Sequence, residues 1–449
     1  MKVLNKMTTK IAIEKSLNDD ILIFDKLIDK WKQVSSYYQV EWNNNFIQWE
    51  VPKNLTFDFA ITLAFSISRL SNKNAYDIAA EIKENFLHLF QNEIEIFVNK
   101  DGYLNCTFSD NFYKNSLNKF NFDNFYFEKK NISINVEFVS VNPTGYLHLG
   151  HLRNAVIGDT LANIYNFVGY DVVREYYIND RGNQIKELVN SVLFSYAKRK
   201  RIELVGIKEE NLSYKGKSIE DASLYILENN LISDDPNNWK FEEIEDIVVQ
   251  FFIKKIKLDL ASCGISFDQW FSEKRMYQNP DEISLILKDI HLKNLSYRKE
   301  GALFLKTSLF NDDKDRVIIK ENGEYTYFFS DILYHLNKLK RSDVLVNVWG
   351  SDHHGYISRL ISSLSLLGQN VENKFYIVLI QMVSLLTNEG SKKFSKRLGN
   401  SIGLEETLNI LKKDQLRFCL LEKESNHTLL IDLETLNQHS ENSRLYYIQ

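Results

Sequence analysis

A chain of 449 residues, 44% hydrophobic and 26% charged, can bury several cores and should hold two or three domains. A formal net charge of -5 argues against a surface that wraps nucleic acid everywhere, yet leaves room for a local basic patch that grips phosphates. Three cysteines, Cys106, Cys263 and Cys419, lie too far apart for a zinc knuckle and are odd in number, which suits a reducing cytoplasm better than a disulfide framework.

The amino-terminal stretch MKVLNKMTTKIAIEKSLNDD alternates charge with short apolar patches, so neither export nor a membrane anchor is expected. Residues 10 to 90 carry apolar side chains at helical spacing, as in Ile21, Phe24, Leu27 and Ile28, and end in DIAAEIKENFLHLF. The runs IEIFV and GYLNCTF around Asp101-Gly102 predict a small antiparallel pair that closes a first, α+β domain near residue 125. From 126 to about 403, ISINVEFV, DVVREYY, VLVNVW and KFYIVLI alternate with helical segments, the pattern of a parallel sheet covered by helices. Residues 182 to 300 are mostly helical and include the polar patch KEENLSYKGKSIED, which predicts an insertion. Asn322-Gly323, between RVIIKE and EYTYFF, predicts a tight hairpin, and helical periodicity resumes from Leu404.

The stretch from Ile132 to Val139 predicts a strand with Ile132, Ile134, Val136 and Phe138 on one face, so Glu137 points from the other face at the carboxyl end. Ligands of open α/β sheets bind there. After the loop SVNPTGY, the residues Leu149, Leu152, Val156, Leu161 and Ile164 trace a helix ending near Gly169. His148 and His151, one turn apart at its amino-terminal end, can donate hydrogen bonds to a phosphate, and Gly150 lets a ligand approach the backbone. Two helical histidines that merely pack or face water would produce the same spacing. In GSKKFSKRLGN, the cations Lys392, Lys393, Lys396 and Arg397 lie in a loop bracketed by Gly390 and Gly399, able either to close over a polyphosphate or simply to face solvent.

HLGH resembles the HIGH motif of class I aminoacyl-tRNA synthetases, and KFSKR resembles their KMSKS loop, with Phe394 in place of methionine. VEFVSVNPTGYLHLGHLRNAVIGD, REYYINDRGNQI, DDKDRVIIKENGEYTYFFSDILYH, WGSDHHGY and LLTNEGSKKFSKRLGNSI resemble, in order, the blocks of the bacterial-type arginyl-tRNA synthetases. EVPKNLTFDFAITLAFSISR and GYLNCTF resemble that family's added amino-terminal domain, which contacts the tRNA.

The resemblance implies an α/β fold: a Rossmann-like parallel-sheet catalytic domain (126–403) with a helical insertion, an α+β amino-terminal domain (1–125), and the start of a helical anticodon-binding domain (404–449). It implies ATP-dependent ligation of L-arginine to tRNA(Arg) through an arginyl-adenylate, with Mg2+ accompanying ATP, in a cytoplasmic monomer. His148, His151, Lys393 and Lys396 are then catalytic; Gly150, Gly350, Asp352 and Ser395 join them around ATP. Glu137, Ser140, Asn142, Tyr327, Asp331 and His353 hold arginine, with the guanidinium forked between Asp331 and Glu137. No side chain is expected to be a metal ligand, although Asp352-His353-His354 also fits a metal-dependent phosphoesterase, and a non-charging RNA-binding remnant is the other alternative class. DQLR stands where the family has DALR, and the family's helical bundle would follow it. Because the chain ends at Gln449, weak tRNA binding is expected, relieved by any separate anticodon-binding part, together with an apolar patch at Leu436, Leu445, Tyr446 and Tyr447.

Overall fold

The computed structural model describes residues 22–48, 57–71, 73–90, 93–119, 127, 129–204, 207–387, 390–393, 404, 407–408, 411–432, 445 and 448. They fall into two compact units, one within Lys10–Glu128 and one within Lys129–Gln449.

In the amino-terminal unit the elements run α1 (Leu22–Tyr37), β1 (Ile47–Gln48), β2 (Phe59–Ile61), α2 (Leu63–Ser71), α3 (Ala75–Phe86), β3 (Ile94–Val98), β4 (Leu104–Phe108) and α4 (Asp110–Lys119). The strands form an antiparallel sheet in the order β1-β2-β4-β3. Strand β3 buries Ile94 and Ile96 and turns Glu95 and Phe97 outward, the period-two pattern of a sheet covered on one face. Leu27 and Trp31 of α1, Ile67 of α2 and Ile82 of α3 join these isoleucines in one apolar core.

The second unit contains β5 (Ser133–Glu137), α5 (Leu149–Phe167), β6 (Asp171–Ile178), α6 (Asn183–Lys200), α7 (Lys217–Glu228), α8 (Phe241–Ser262), β7 (Gln269–Ser272), α9 (Glu273–Met276) and α10 (Pro280–Leu292). It continues through β8 (Ser296–Lys299), β9 (Ala302–Leu305), β10 (Arg316–Ile319), α11 (Tyr327–Arg341), β11 (Val344–Gly350), α12 (His354–Leu366) and β12 (Phe375–Ile380), then β13 (Val383–Thr387), β14 (Gly390–Lys393), α13 (Lys413–Leu421) and β15 (Leu429–Asp432). Its central sheet is wholly parallel, in the order β12-β11-β5-β6-β7. From β5 the chain winds to one side through β6 and later to the other through β11, so a crevice opens between their carboxyl ends. Helix α5 packs closely over β5: a Cβ on Gly158 would lie 2.3 Å from the Phe138 side chain.

Several sequence expectations change. The first strand is shorter than Ile132 to Val139, because Val139 leaves the extended conformation at φ 67°. Ile164 is 52% exposed, and the buried stripe of α5 continues instead through Asp159, Ala162 and Tyr165, which keep the helical phase of Leu152 and Val156. The segment 182–300 contains β7, an edge strand of the parallel sheet, and β8, the first strand of an antiparallel β10-β9-β8 sheet; four-residue runs are too short to show a period. Asn322-Gly323 does form a turn, with Lys320 N–H donating to the Glu324 carbonyl at 2.8 Å. Only the bridge Ile319–Tyr325 follows, because Thr326 caps α11 and starts a helix where a second strand was expected. Gly390–Lys393 is a strand antiparallel to β13 rather than part of a loop, and Leu429–Asp432 is a strand parallel to β13 rather than helix. Leu445 is buried, so it adds nothing to an apolar patch; Leu436, Tyr446 and Tyr447 lie outside the described residues.

Arg153 joins α5 to the chain beyond β12. Its fully buried guanidinium donates to the carbonyls of Gln381 (2.9 Å), His427 (2.7 Å), Glu424 (2.9 Å) and Lys423 (3.3 Å). A planar fork of donors suits converging carbonyls, and removing it would leave buried acceptors unsatisfied. Arg153→Met is therefore expected to destabilise this part of the unit by about 3 to 5 kcal/mol. Hydrogen exchange checks this: the amides of 423–432 should exchange faster than in the parent protein, and unchanged protection would show that the cage does not hold that segment.

Candidate active site

At the carboxyl ends of β5, β11 and β12 lies a cleft of about 720 Å³. It is lined by Glu137, Ser140, Asn142, His148, Gly150, His151, Tyr327, Asp331, Gly350, Asp352 and His353, side chains that the chain order scatters over more than two hundred residues. Of the remaining candidates, Lys393 has only its backbone described, in β14, and Ser395 and Lys396 lie outside the described residues.

The floor of the cleft is acidic and only partly neutralised. Glu137, at the end of β5, accepts from the buried Lys338 ammonium at 2.8 Å and from the Ser140 hydroxyl at 3.1 Å. Lys338 also donates to Asn347 Oδ1 (2.7 Å), whose carboxamide nitrogen meets His335 Nε2 (2.8 Å), while His335 Nδ1 lies 2.7 Å from the Asp331 carbonyl. Burial, reinforced by the Lys338 charge, holds His335 down at about 3, so the ring is neutral; Nδ1 donates to the carbonyl and Nε2 accepts from Asn347. Asp331 is pushed up to about 7 by burial, with Glu137 and Glu273 adding repulsion against a hydrogen bond from the Tyr356 hydroxyl. Burial likewise raises Glu273, opposed by hydrogen bonds from Ser330 and Tyr177 and by the charge of Arg181. Three carboxylates thus face one region, and the lysine among them is bonded to Glu137.

Sequence reasoning missed Glu273, Lys338 and Tyr356. Glu273 follows the four-residue strand β7, and Lys338 lies two turns beyond Asp331 on α11, where a lysine normally reads as solvent-facing; neither carries a local signal. Of the two residues expected to fork the guanidinium, Glu137 is bonded to Lys338, and Asp331 has both Glu137 and Glu273 as acidic neighbours. Tyr327 is 57% exposed at the rim, and Gly182, at φ 94°, gives its hydroxyl room, because a Cβ there would lie 2.8 Å away. Asn142 donates to Gln184 of α6 at 2.7 Å.

The two histidines of HLGH stack with ring centroids 3.4 Å apart at the start of α5. The backbone N–H of His148 donates to His151 Nδ1 at 3.2 Å, so a neutral His151 carries its proton on Nε2. Gly150 makes room for the His148 ring, as a Cβ there would sit 3.2 Å from that ring. Asp352 and His353 are exposed at the mouth, 3.8 Å apart. Among the described residues no group of three or more His, Cys, Asp or Glu side chains is placed to hold a metal ion.

The chain is similar in sequence and fold to known proteins. The sequence profile described as tRNA synthetases class I (R), catalytic domain, matches residues 117–441. The arginine-tRNA ligase of Aquifex aeolicus is 36% identical over 434 residues, covering 87% of this chain and 73% of its own length. That of Ureaplasma parvum serovar 3 is 38% identical over 414 residues, covering 88% and 74%. The arginyl-tRNA synthetase structure from Thermus thermophilus superposes with a TM-score of 0.69 over 94% of this chain and 79% of that one, at 17% identity, a likeness of fold. With the family profile spanning most of its length and such relatives aligned across most of theirs, the chain belongs to the class I arginyl-tRNA synthetases.

Proposed function

We propose that this protein joins L-arginine to tRNA(Arg) through an arginyl-adenylate, and that Asp331 and Glu273 select the amino acid. The observation that carries the reading is the acidic floor of the cleft, where Lys338 already matches Glu137 and the remaining buried carboxylates invite one delocalised cation. A guanidinium spreads its charge over a planar fork of donors and can bond two carboxylates at once; an ammonium is a compact point charge on a shorter stem. Discrimination of this kind needs no editing site.

In the first step a carboxylate oxygen of arginine attacks the α-phosphorus of ATP in line. The bond to the bridging oxygen of the β-phosphate breaks, and pyrophosphate leaves. In the second step the terminal ribose hydroxyl of tRNA attacks the arginyl carbonyl, and AMP leaves. Catalysis is positioning plus electrostatic stabilisation. His148 and His151 at the positive end of α5 donate to the phosphates, Lys393 and Lys396 neutralise charge on the pentavalent phosphorus, and Gly150, Gly350, Asp352 and Ser395 contribute to the nucleotide site. Glu137, Ser140, Asn142 and His353 hold the α-amino and carboxylate end, and Tyr327 closes over the side chain. The described residues offer no dedicated cage for Mg2+, and the ion would travel on the triphosphate. The amino-terminal unit contacts the tRNA, and the protein works as a cytoplasmic monomer. A phosphoesterase would need clustered metal ligands, and an RNA-binding remnant would have no use for matched carboxylates in a cleft.

Asp331→Asn should weaken arginine use by about 2 to 5 kcal/mol in kcat/KM while leaving the KM for ATP nearly unchanged. Steady-state kinetics with each substrate varied checks it, and an unaltered arginine KM would remove Asp331 from the pocket. The same group makes arginine binding depend on pH. Only ionised Asp331 pairs with the guanidinium, so binding releases a proton, and affinity should rise about tenfold per unit below pH 7 and level off above it. Calorimetric titrations between pH 5.5 and 8.5 should show this slope in the parent protein and its loss in Asp331→Asn. His151→Ala should lower the rate of adenylate formation by about 2 to 4 kcal/mol of barrier with arginine affinity retained. Single-turnover mixing at saturating ATP measures that rate, and an unchanged value contradicts the assignment.

A further inference from the structure

The exit of β5 is wound against its own preference. Val139 and Ser140 have φ values of 67° and 38°, two consecutive non-glycine residues in the left-handed region, the first of them β-branched. Such a conformation persists only where its surroundings over-determine it, and it concentrates at functional sites. Here the surroundings are specific. The β5–β11 ladder ends at the pair Glu137–Asn347, beyond which the strands part and open the cleft. Across that gap the Asn154 carboxamide accepts from Val139 N–H at 2.6 Å and donates to the Val348 carbonyl at 2.9 Å, taking the place of the missing ladder bonds. Tyr176, buried on β6, holds the far side of the turn: its hydroxyl accepts from Val141 N–H (3.1 Å) and donates to the Val141 carbonyl (2.7 Å). Ser140, thus fixed, donates to Glu137 and accepts from Tyr177 N–H at 3.1 Å.

We infer that Asn154 is a positioning residue that wedges β5 from β11 and keeps the Val139-Ser140 turn wound, so that Ser140 and Asn142 meet the amino and carboxylate end of the amino acid. The inference rests on the reading of the cleft as an arginine site. It adds a mechanical link, since Asn154 lies on the helix that carries His148 and His151 and therefore ties the amino-acid side of the cleft to its phosphate side. Without the wedge the strained turn relaxes toward extended backbone and carries Ser140 with it. A glycine at 139 accepts the left-handed conformation without strain, so it makes the turn less dependent on the wedge.

The test compares Asn154→Ala, Val139→Gly and the double variant in the full chain. Arginine KM, ATP KM and kcat are measured with tRNA present, and hydrogen exchange of the amides of 139–141 is measured without ligand. Asn154→Ala should raise the arginine KM roughly 10- to 100-fold, with the ATP KM held within about twofold, and should speed exchange in the turn. Adding Val139→Gly should recover a substantial part of both effects, which a general loss of stability would not do. Equal rises in both KM values, an unchanged arginine KM, or a double variant no better than Asn154→Ala would overturn the inference. Should the alanine variant fail to fold, Asn154→Ser, which keeps one hydroxyl in the gap, is judged by the same criteria. If the parent protein ignores arginine, the arginine reading falls, and exchange in the ligand-free turn alone decides on the wedge.

Discussion

Helix α11 is fastened to the sheet by two cations, and the cleft takes its shape from that fastening. Lys338 reaches Glu137 on β5 and Asn347 on β11. One turn on, Arg341 forks onto both oxygens of Glu175 on β6 at 2.9 and 3.0 Å and touches Gln269 on β7 at 2.8 Å. Four parallel strands are thereby held against one helix by directional bonds, which fix register in a way that apolar contact does not. Buried ion pairs add little net stability relative to well-packed apolar groups, but breaking one leaves an uncompensated charge, so the arrangement is all or nothing. Tyr327 and Asp331 ride on that helix, and their position over the crevice follows from it.

The same fastening sets the charge of the site. Because Lys338 serves Glu137, the strand-end carboxylate already has a matching cation, and on the proposed reading the acids left for the side chain of the amino acid are those on α9 and α11. Burial makes each costly to ionise alone, and the charges of Glu137 and Glu273 add to the cost at Asp331. A site built this way suits a cation of matching shape, and on the proposed reading its pairing with Asp331 would release a proton.

Much of this was legible in the sequence, and the legible parts share a cause. The parallel strands β5, β6, β11 and β12 and the helices between them are long enough to show their periods, and the HLGH histidines open the helix that directly follows β5 in the chain. The illegible parts depend on contacts between distant segments. Strand β7 has four residues, so Glu273 behind it looked like any charged residue of the insertion. Thr326 decided, by capping α11, that the Asn322-Gly323 turn would lead into helix. Nothing local to Lys338 or Arg153 signals burial, yet both are buried, because Lys338 meets Glu137 201 residues away and Arg153 meets carbonyls more than 200 residues further along the chain. The strain at Val139 and Ser140 has no composition signal at all, since neither residue type favours the conformation it adopts.

The central claim is that the cleft recognises a guanidinium by its charge and its fork together. The most direct measurement compares arginine, lysine and citrulline as supporters of ATP–pyrophosphate exchange by the full chain, with tRNA(Arg) present. Citrulline keeps nearly the shape of arginine without the charge, and lysine keeps the charge without the fork. Exchange should proceed with arginine, and kcat/KM should be lower by about two to four orders of magnitude for each of the others, the size of effect when buried carboxylates are left unpaired. Comparable exchange with citrulline or with lysine would contradict it.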